Sequence, residues 1–234
     1  MIFNINKPVD VKYIIDIPRI TQHFAPVSLY KNIEPLETEK KTGCPAAKSA
    51  EKRIFHAYPP FTIEVEFGLN GIGDTFINWN YDKKDFPDNS YNKNLINSLM
   101  NVFNHNNKFV DLQMMLPYCF VTDDKELEVI TLPPNGMQTE NVTYLPGAYK
   151  PYGWVRNQNS TWILKDKNKI GRIKFDYNIP CISYVFNKSI NLEYTEIDDK
   201  LQKYINQIKF SANYKLGLTD IYKTALSRRP KKLL

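Results

Sequence analysis

The sequence predicts a mainly β protein: an antiparallel β-sandwich or jelly-roll-like barrel with a C-terminal helix. Three observations carry that prediction. Short runs rich in β-branched and aromatic residues recur along most of the chain, separated by Pro, Gly and Asn/Asp clusters. In the stretch 146–186, PGAYKPYGWVRNQNSTWILKDKNKIGRIKFDYNIPCISYVF, Ile173, Phe175 and Tyr177 alternate with Arg172, Lys174 and Asp176. Period-two alternation gives a strand with one buried and one wetted face. Only beyond Tyr194 does the spacing turn helical, with Leu201, Tyr204, Ile205 and Ile208 on one stripe.

Taken in order, residues 1–20 alternate between Pro8 and Pro18 and read as one or two edge strands. Residues 21–52 are polar and punctuated by Pro26, Pro35 and Pro45, a long loop with at most a short helix at 46–53. Strand character resumes at 53–67, and Gly68, Gly71 and Gly73 allow tight turning before a further strand at 75–79. The glycines resemble a phosphate loop but lack its GK[ST] ending and a following helix. Residues 94–103 have helical spacing but are rich in asparagine, a poor helix former, and read as a short or irregular helix or a loop over the sheet edge. The apolar run 109–121 is split by Pro117 into two strands or carries a bulge there, and PPNG at 133–136 is a strong turn signal after a strand at 127–132.

Within 146–186, strands at 161–164, 172–177 and 182–186 with short polar loops predict an antiparallel meander. Trp154 and Trp162 read as packing residues. Thr195 with Asp198 resembles a capping box opening the helix, and a second helical piece is expected at 220–226. The domain reading is a β-rich unit at 1–194 followed by a helical segment and basic tail at 195–234.

With 234 residues and an apolar fraction of 42%, the chain can bury a core. No run approaches a membrane helix, and the charged, interrupted N-terminus does not read as a signal peptide. The sequons at Asn141, Asn159 and Asn187 are then coincidental. The three cysteines, Cys44, Cys119 and Cys181, form no metal or disulfide pattern. Cys119 and Cys181 lie in apolar runs and read as buried thiols, and Cys44 as the accessible one. His23, His56 and His105 are the only histidines, and none begins the His-x-Asp/Glu motif of a jelly-roll oxygenase. No metal, no cofactor and no catalytic residue is predicted. The pairs Asp123/Asp124 and Asp198/Asp199 sit where a turn and a helix start favour aspartate.

Candidate binding residues come from two places. Tyr149, Trp154 and Arg156, with Tyr144, Tyr152 and Lys150, could present a stacking, cationic surface. The net charge is +6, and its excess gathers at the end, where Arg228, Arg229, Lys231 and Lys232 could make weak contact with nucleic-acid phosphates.

The 146–186 segment resembles uncharacterised proteins of marine tailed phages, of the cyanophage type. The shared pattern is Pro-Gly-x-aromatic, Trp-x-Arg, an alternating hairpin and a strand opened by Pro, at Pro146, Gly147, Tyr149, Trp154, Arg156 and Pro180. Upstream, GCPAAKSAEKRIFHAYPPFTIEVEF is similar to a Cys-Pro segment before a Pro-containing strand, with Cys44, Pro45 and Pro60. The resemblance covers 44–186. It implies a β-rich phage protein working in the host cytoplasm during infection or in the virion, and it implies no catalytic residues. The expected function is a non-enzymatic structural or protein-interaction role, as a virion component or a binder of a host factor. The alternative is a metal-dependent oxygenase-like enzyme or small-ligand protein inside a jelly roll.

Overall fold

A computed structural model describes residues 7–16, 31–37, 49–81, 94, 96–105, 108–213, 223 and 225–233. Cys44 and His23 lie outside the described residues. The first eight strands are β1 (Val9–Ile15), β2 (Glu34–Pro35), β3 (Ile54–Ala57), β4 (Ile63–Leu69), β5 (Thr75–Tyr81), β6 (Met100–Asn104), β7 (Val110–Leu116) and β8 (Tyr118–Val121). Next come β9 (Val129–Leu132), β10 (Gln138–Glu140), β11 (Val142–Tyr144), β12 (Gly147–Tyr149), β13 (Gln158–Leu164), β14 (Gly171–Phe175), β15 (Ile182–Phe186) and β16 (Ile190–Tyr194). Helix α1 (Asp199–Asn213) follows.

The strands form four sheets: sheet I, β16-β1-β8; sheet II, β12-β9-β15-β3-β2; sheet III, β10-β14-β4-β5; and sheet IV, β11-β13-β7-β6. The architecture is mainly β and consistent with a sandwich, and among the described residues the sheets form no closed barrel. Among the described residues every pairing is antiparallel except β1 with β16, which is parallel.

One apolar core draws on all four sheets. It includes Tyr13 and Phe120 of sheet I, Tyr184 and Phe186 of sheet II, Val65 and Phe175 of sheet III, and Leu112 and Trp162 of sheet IV. Phe120 meets the edges of Tyr184 and Phe186, with ring centroids 4.8 and 5.4 Å apart. Ile173 and Phe175 point inward, as the alternation predicts, while Tyr177, beyond the end of β14, is exposed. Trp162 is buried and donates from Nε1 to Ser160 Oγ at 2.8 Å. Cys119 and Cys181 are buried, and burial pushes the Cys181 thiol up.

In sheet I, β8 and the Tyr13–Ile14 part of β1 are buried on both faces. Tyr13, Tyr118 and Phe120 face the main core, while Ile14, Cys119 and Val121 pack with Leu201, Tyr204, Ile205 and Ile208 of α1. A strand covered on both sides has no wet face, which is why 118–121 shows no alternation. It also corrects the expectation for residues 1–20: β1 is the central strand of sheet I, because α1 provides a second apolar surface for it. Pro117 does separate two strands, and they belong to different sheets, β7 to IV and β8 to I.

The predicted meander does not form. β13, β14 and β15 belong to sheets IV, III and II and pair with strands distant in sequence. Periodicity identifies strands, but not their partners. The chain crosses between sheets III and IV twice at one corner: β10 passes to β11 through Asn141 alone, and β13 passes to β14 through 165–170. Asn141 adopts φ 55°, a left-handed conformation that asparagine tolerates. Its side chain donates to the carbonyls of Asp166 and Lys169 at 2.9 and 3.0 Å and accepts from Asp166 N–H at 3.0 Å. Beside it, a Cβ on Gly171 would lie 2.4 Å from Leu164 Cδ2 and 2.7 Å from Val142 Cγ1, so the corner requires glycine.

Two helix expectations change. Asp198 caps α1 alone, accepting from Leu201 N–H at 2.7 Å, while Thr195 N–H bonds the Tyr13 carbonyl. Residues 94 and 96–99 are helical, but 100–104 are strand β6, since pairing with β7 overrides the spacing. Residues 223 and 225–228 are helical, as expected. Among the described residues no helix is long and apolar enough to cross a membrane.

Candidate functional site

The structure turns the predicted aromatic and basic residues toward one another. Arg229 has a side chain only 1% exposed and an Nη2–Asp123 Oδ1 distance of 2.8 Å. It also donates to the carbonyls of Tyr152 at 2.6 Å and Thr122 at 2.5 Å, and its guanidinium lies 3.9 Å from the Tyr152 ring centroid. Leu233 N–H adds a bond to Asp123 Oδ1, and Lys200 donates to the Lys232 carbonyl. The C-terminal segment is therefore fastened to the β8–β9 turn and the 150–157 loop. Arg229 is fully engaged within the chain, which corrects its assignment to a phosphate-binding tail; Arg228, Lys231 and Lys232 remain exposed.

Tyr144 lies in the core and Tyr149 packs against it, both with buried hydroxyls. Trp154 packs on the α1 cluster, and Arg156 lies over its ring at 5.0 Å. Burial lowers the Arg156 pKa below its usual range. The loop thus works mainly as an internal fastening. The polar segment following Trp154 takes part: Asn157 donates to the Asp16 carbonyl at 2.6 Å.

The outer faces of the sheets differ in chemistry. Sheet III carries charge: Arg172 sits between Glu66 and Glu140 at 2.7 and 2.8 Å, and Lys174 lies 3.9 Å from Glu64. Its two carboxylate partners hold the Arg172 pKa above its ordinary value. These exposed pairs make a solvated face and contribute little stability.

Sheet II is different. Cross-strand register places Ala148, Ile130, Val185 and Ile54 in one row running over four strands. These are the outward positions, since Tyr149, Val129, Tyr184 and Phe55 face in. Ile130 is 44% exposed and Leu132, in the adjacent row, 39%. This row is an aliphatic stripe across the sheet's outside.

The row beside it holds Leu132, Ser183, His56 and Glu34. His56 Nδ1 and Ser183 Oγ are 3.0 Å apart. Burial holds the His56 imidazole below the ordinary histidine range, and Glu34 pulls it upward. Burial and a hydrogen bond to Glu34 push Tyr58 up to about 12. Sequence reading missed this Ser–His–Glu order because its members come from three distant segments. It also lacks a requirement of acyl transfer. The neighbouring N–H groups lie in the sheet plane, engaged in pairing with β3 and β9, so none is aimed at a developing oxyanion.

His105 lies in a different sheet region, its Nε2 2.5 Å from Asp111 Oδ1. His56 and His105 therefore do not meet. Among the described residues no group of three or more His, Cys, Asp or Glu side chains could hold a metal ion.

Comparison with protein-family models, curated proteins and solved structures found no match. The resemblance to marine phage proteins rests on the sequence pattern in 44–186 alone.

Proposed function

We propose that this is a non-catalytic interaction protein, a phage virion component or a binder of a host factor, which seats the outer face of sheet II on another protein. The observation that carries the reading is the aliphatic row Ala148–Ile130–Val185–Ile54 with Leu132 beside it. Contiguous exposed apolar surface on a folded chain is characteristic of protein contact, because covering it removes that area from water. The sequence pattern shared with marine phage proteins supports the choice of partner class, and it brings no catalytic residues with it.

Affinity capture tests the proposal. Tagged protein is incubated with lysate of phage-infected marine bacteria, beside the double variant Ile130→Asp/Leu132→Asp. Both side chains are exposed, so the variant should fold. The expected result is at least one phage or host protein retained by the native chain and lost by the variant. Retention of the same proteins by both, or of none by the native chain, overturns the reading. Mass spectrometry of purified virions then separates a virion component from a host-directed binder.

A further inference from the structure

The outer face of sheet IV carries a second surface, of another chemistry. Alternation along β7 sends Leu112 and Met114 inward and Asp111 and Gln113 outward. Opposite Gln113 stand Asn101 on β6 and Thr161 on β13; opposite Asp111 stand Phe103 and Ile163. At the β6–β7 end, the rings of His105 and Phe109 stack with centroids 4.3 Å apart, and Phe103 lies 6.2 Å from His105. Phe103 and Phe109 are 43% and 36% exposed. One end of the face is thus aromatic and the middle is amide.

The polar groups are already ordered. Asp111, whose side chain is 1% exposed, holds His105 Nε2 with one oxygen and accepts from Gln113 Nε2 with the other at 2.8 Å. Asn159 Nδ2 donates to Gln113 Oε1 at 3.0 Å. A single hydrogen-bonded chain, His105–Asp111–Gln113–Asn159, crosses the sheet and fixes which way the amides point. Asn101, exposed on the edge strand, adds another amide. Asp111, already paired, is the sole carboxylate among these outward strand positions, and none is Lys, Arg or Glu.

We propose that this face binds a neutral carbohydrate. A pyranose ring offers an apolar C–H face and a rim of hydroxyls, each a donor and an acceptor. The Phe103–His105–Phe109 rings match the first, and the fixed amides, which also both donate and accept, match the second. Ordering the amides beforehand reduces what binding must immobilise. A nucleic acid would require cations, which these positions lack. A protein partner would favour a more apolar centre than a row of Asn, Gln and Thr, as on sheet II.

The test is affinity electrophoresis of the full chain through gels containing soluble starch, mannan, mixed-linkage β-glucan or dextran. Dextran sulfate serves as an anionic control. Phe109→Ala and Asn101→Ala change exposed side chains and leave the Asp111 network paired; Ile130→Asp is the control on sheet II. The expected result is retardation by at least one neutral polymer, weakened about tenfold or more in both sheet IV variants, the equivalent of about 1.4 kcal/mol, and unchanged in Ile130→Asp. Circular dichroism confirms that each variant is folded. If Phe109→Ala proves unfolded, Asn101→Ala alone decides. Four outcomes overturn the proposal: no retardation by any neutral polymer, retardation by dextran sulfate only, loss equal in Ile130→Asp, or no loss in the sheet IV variants. Loss of a captured protein partner in Phe109→Ala, without carbohydrate binding, would assign the face to protein contact instead.

Discussion

Tyr184 illustrates how a single side chain divides its contributions. Its ring packs edge-on against Phe120 in the core, while its hydroxyl is buried with no hydrogen-bond partner among the described residues. Desolvation raises its pKa well above the ordinary value. A buried donor without a partner is a penalty, so removing it while keeping the ring should be neutral or stabilising. Tyr184→Phe is expected to keep or raise the urea midpoint; a loss above about 1 kcal/mol would mean the hydroxyl is satisfied. Phe175, fully buried, is the opposite case: Phe175→Ala should cost about 3–5 kcal/mol.

His56 gives the fold a pH dependence whose sign follows from its surroundings. Burial depresses its folded pKa below the unfolded value of 6.5. The unfolded chain therefore binds a proton more readily. The stability associated with neutral His56 is complete above the unfolded pKa and declines as pH falls through the folded one. His56→Gln removes that component, so its unfolding midpoint should drop less than the native chain's between about pH 7 and pH 5. Equal drops in both proteins would contradict the assignment. Ser183, beside it, should resist a fluorophosphonate probe, and stoichiometric labelling at Ser183 would establish a nucleophile there.

At the scale of elements, Arg229 shows what makes the C-terminal segment part of the fold. Arg229→Ala deletes its bonds to Asp123, Thr122 and Tyr152 together and should cost about 2–3 kcal/mol, as for a hydrogen-bonded, largely buried charge. An unchanged midpoint would return the tail to solvent. Strand existence was legible in the sequence where alternation is clean, as in β14, but not in β6, whose spacing read as helical; α1 was legible from its apolar stripe. Partnership was not legible. Nothing local in TWILKDKNKIGRIKF distinguishes a hairpin from a corner between sheets; Asn141, upstream of it, holds the 165–170 connection through its side chain. The same limit applies to the surfaces. Trp154, Arg156 and Arg229 are binding-type residues that the fold turns on itself, whereas the row Ala148–Ile130–Val185–Ile54 exists only once four strands are in register.

For the whole molecule, four sheets share one core, and each outer face is treated differently. Sheet I is covered by α1, sheet III is solvated by ion pairs, sheet IV is aromatic and amide, and sheet II sets an aliphatic row beside a polar one. The contact proposal rests on how unlike these outer faces are. The most direct measurement is photo-crosslinking in infected cells, with a photoreactive amino acid placed at position 148 on sheet II or at position 66 on sheet III. Both positions are on outer faces, and they differ in their neighbours. The account predicts a discrete adduct with one phage or host protein from position 148 and none from position 66. An adduct from position 66 with none from position 148 would contradict it.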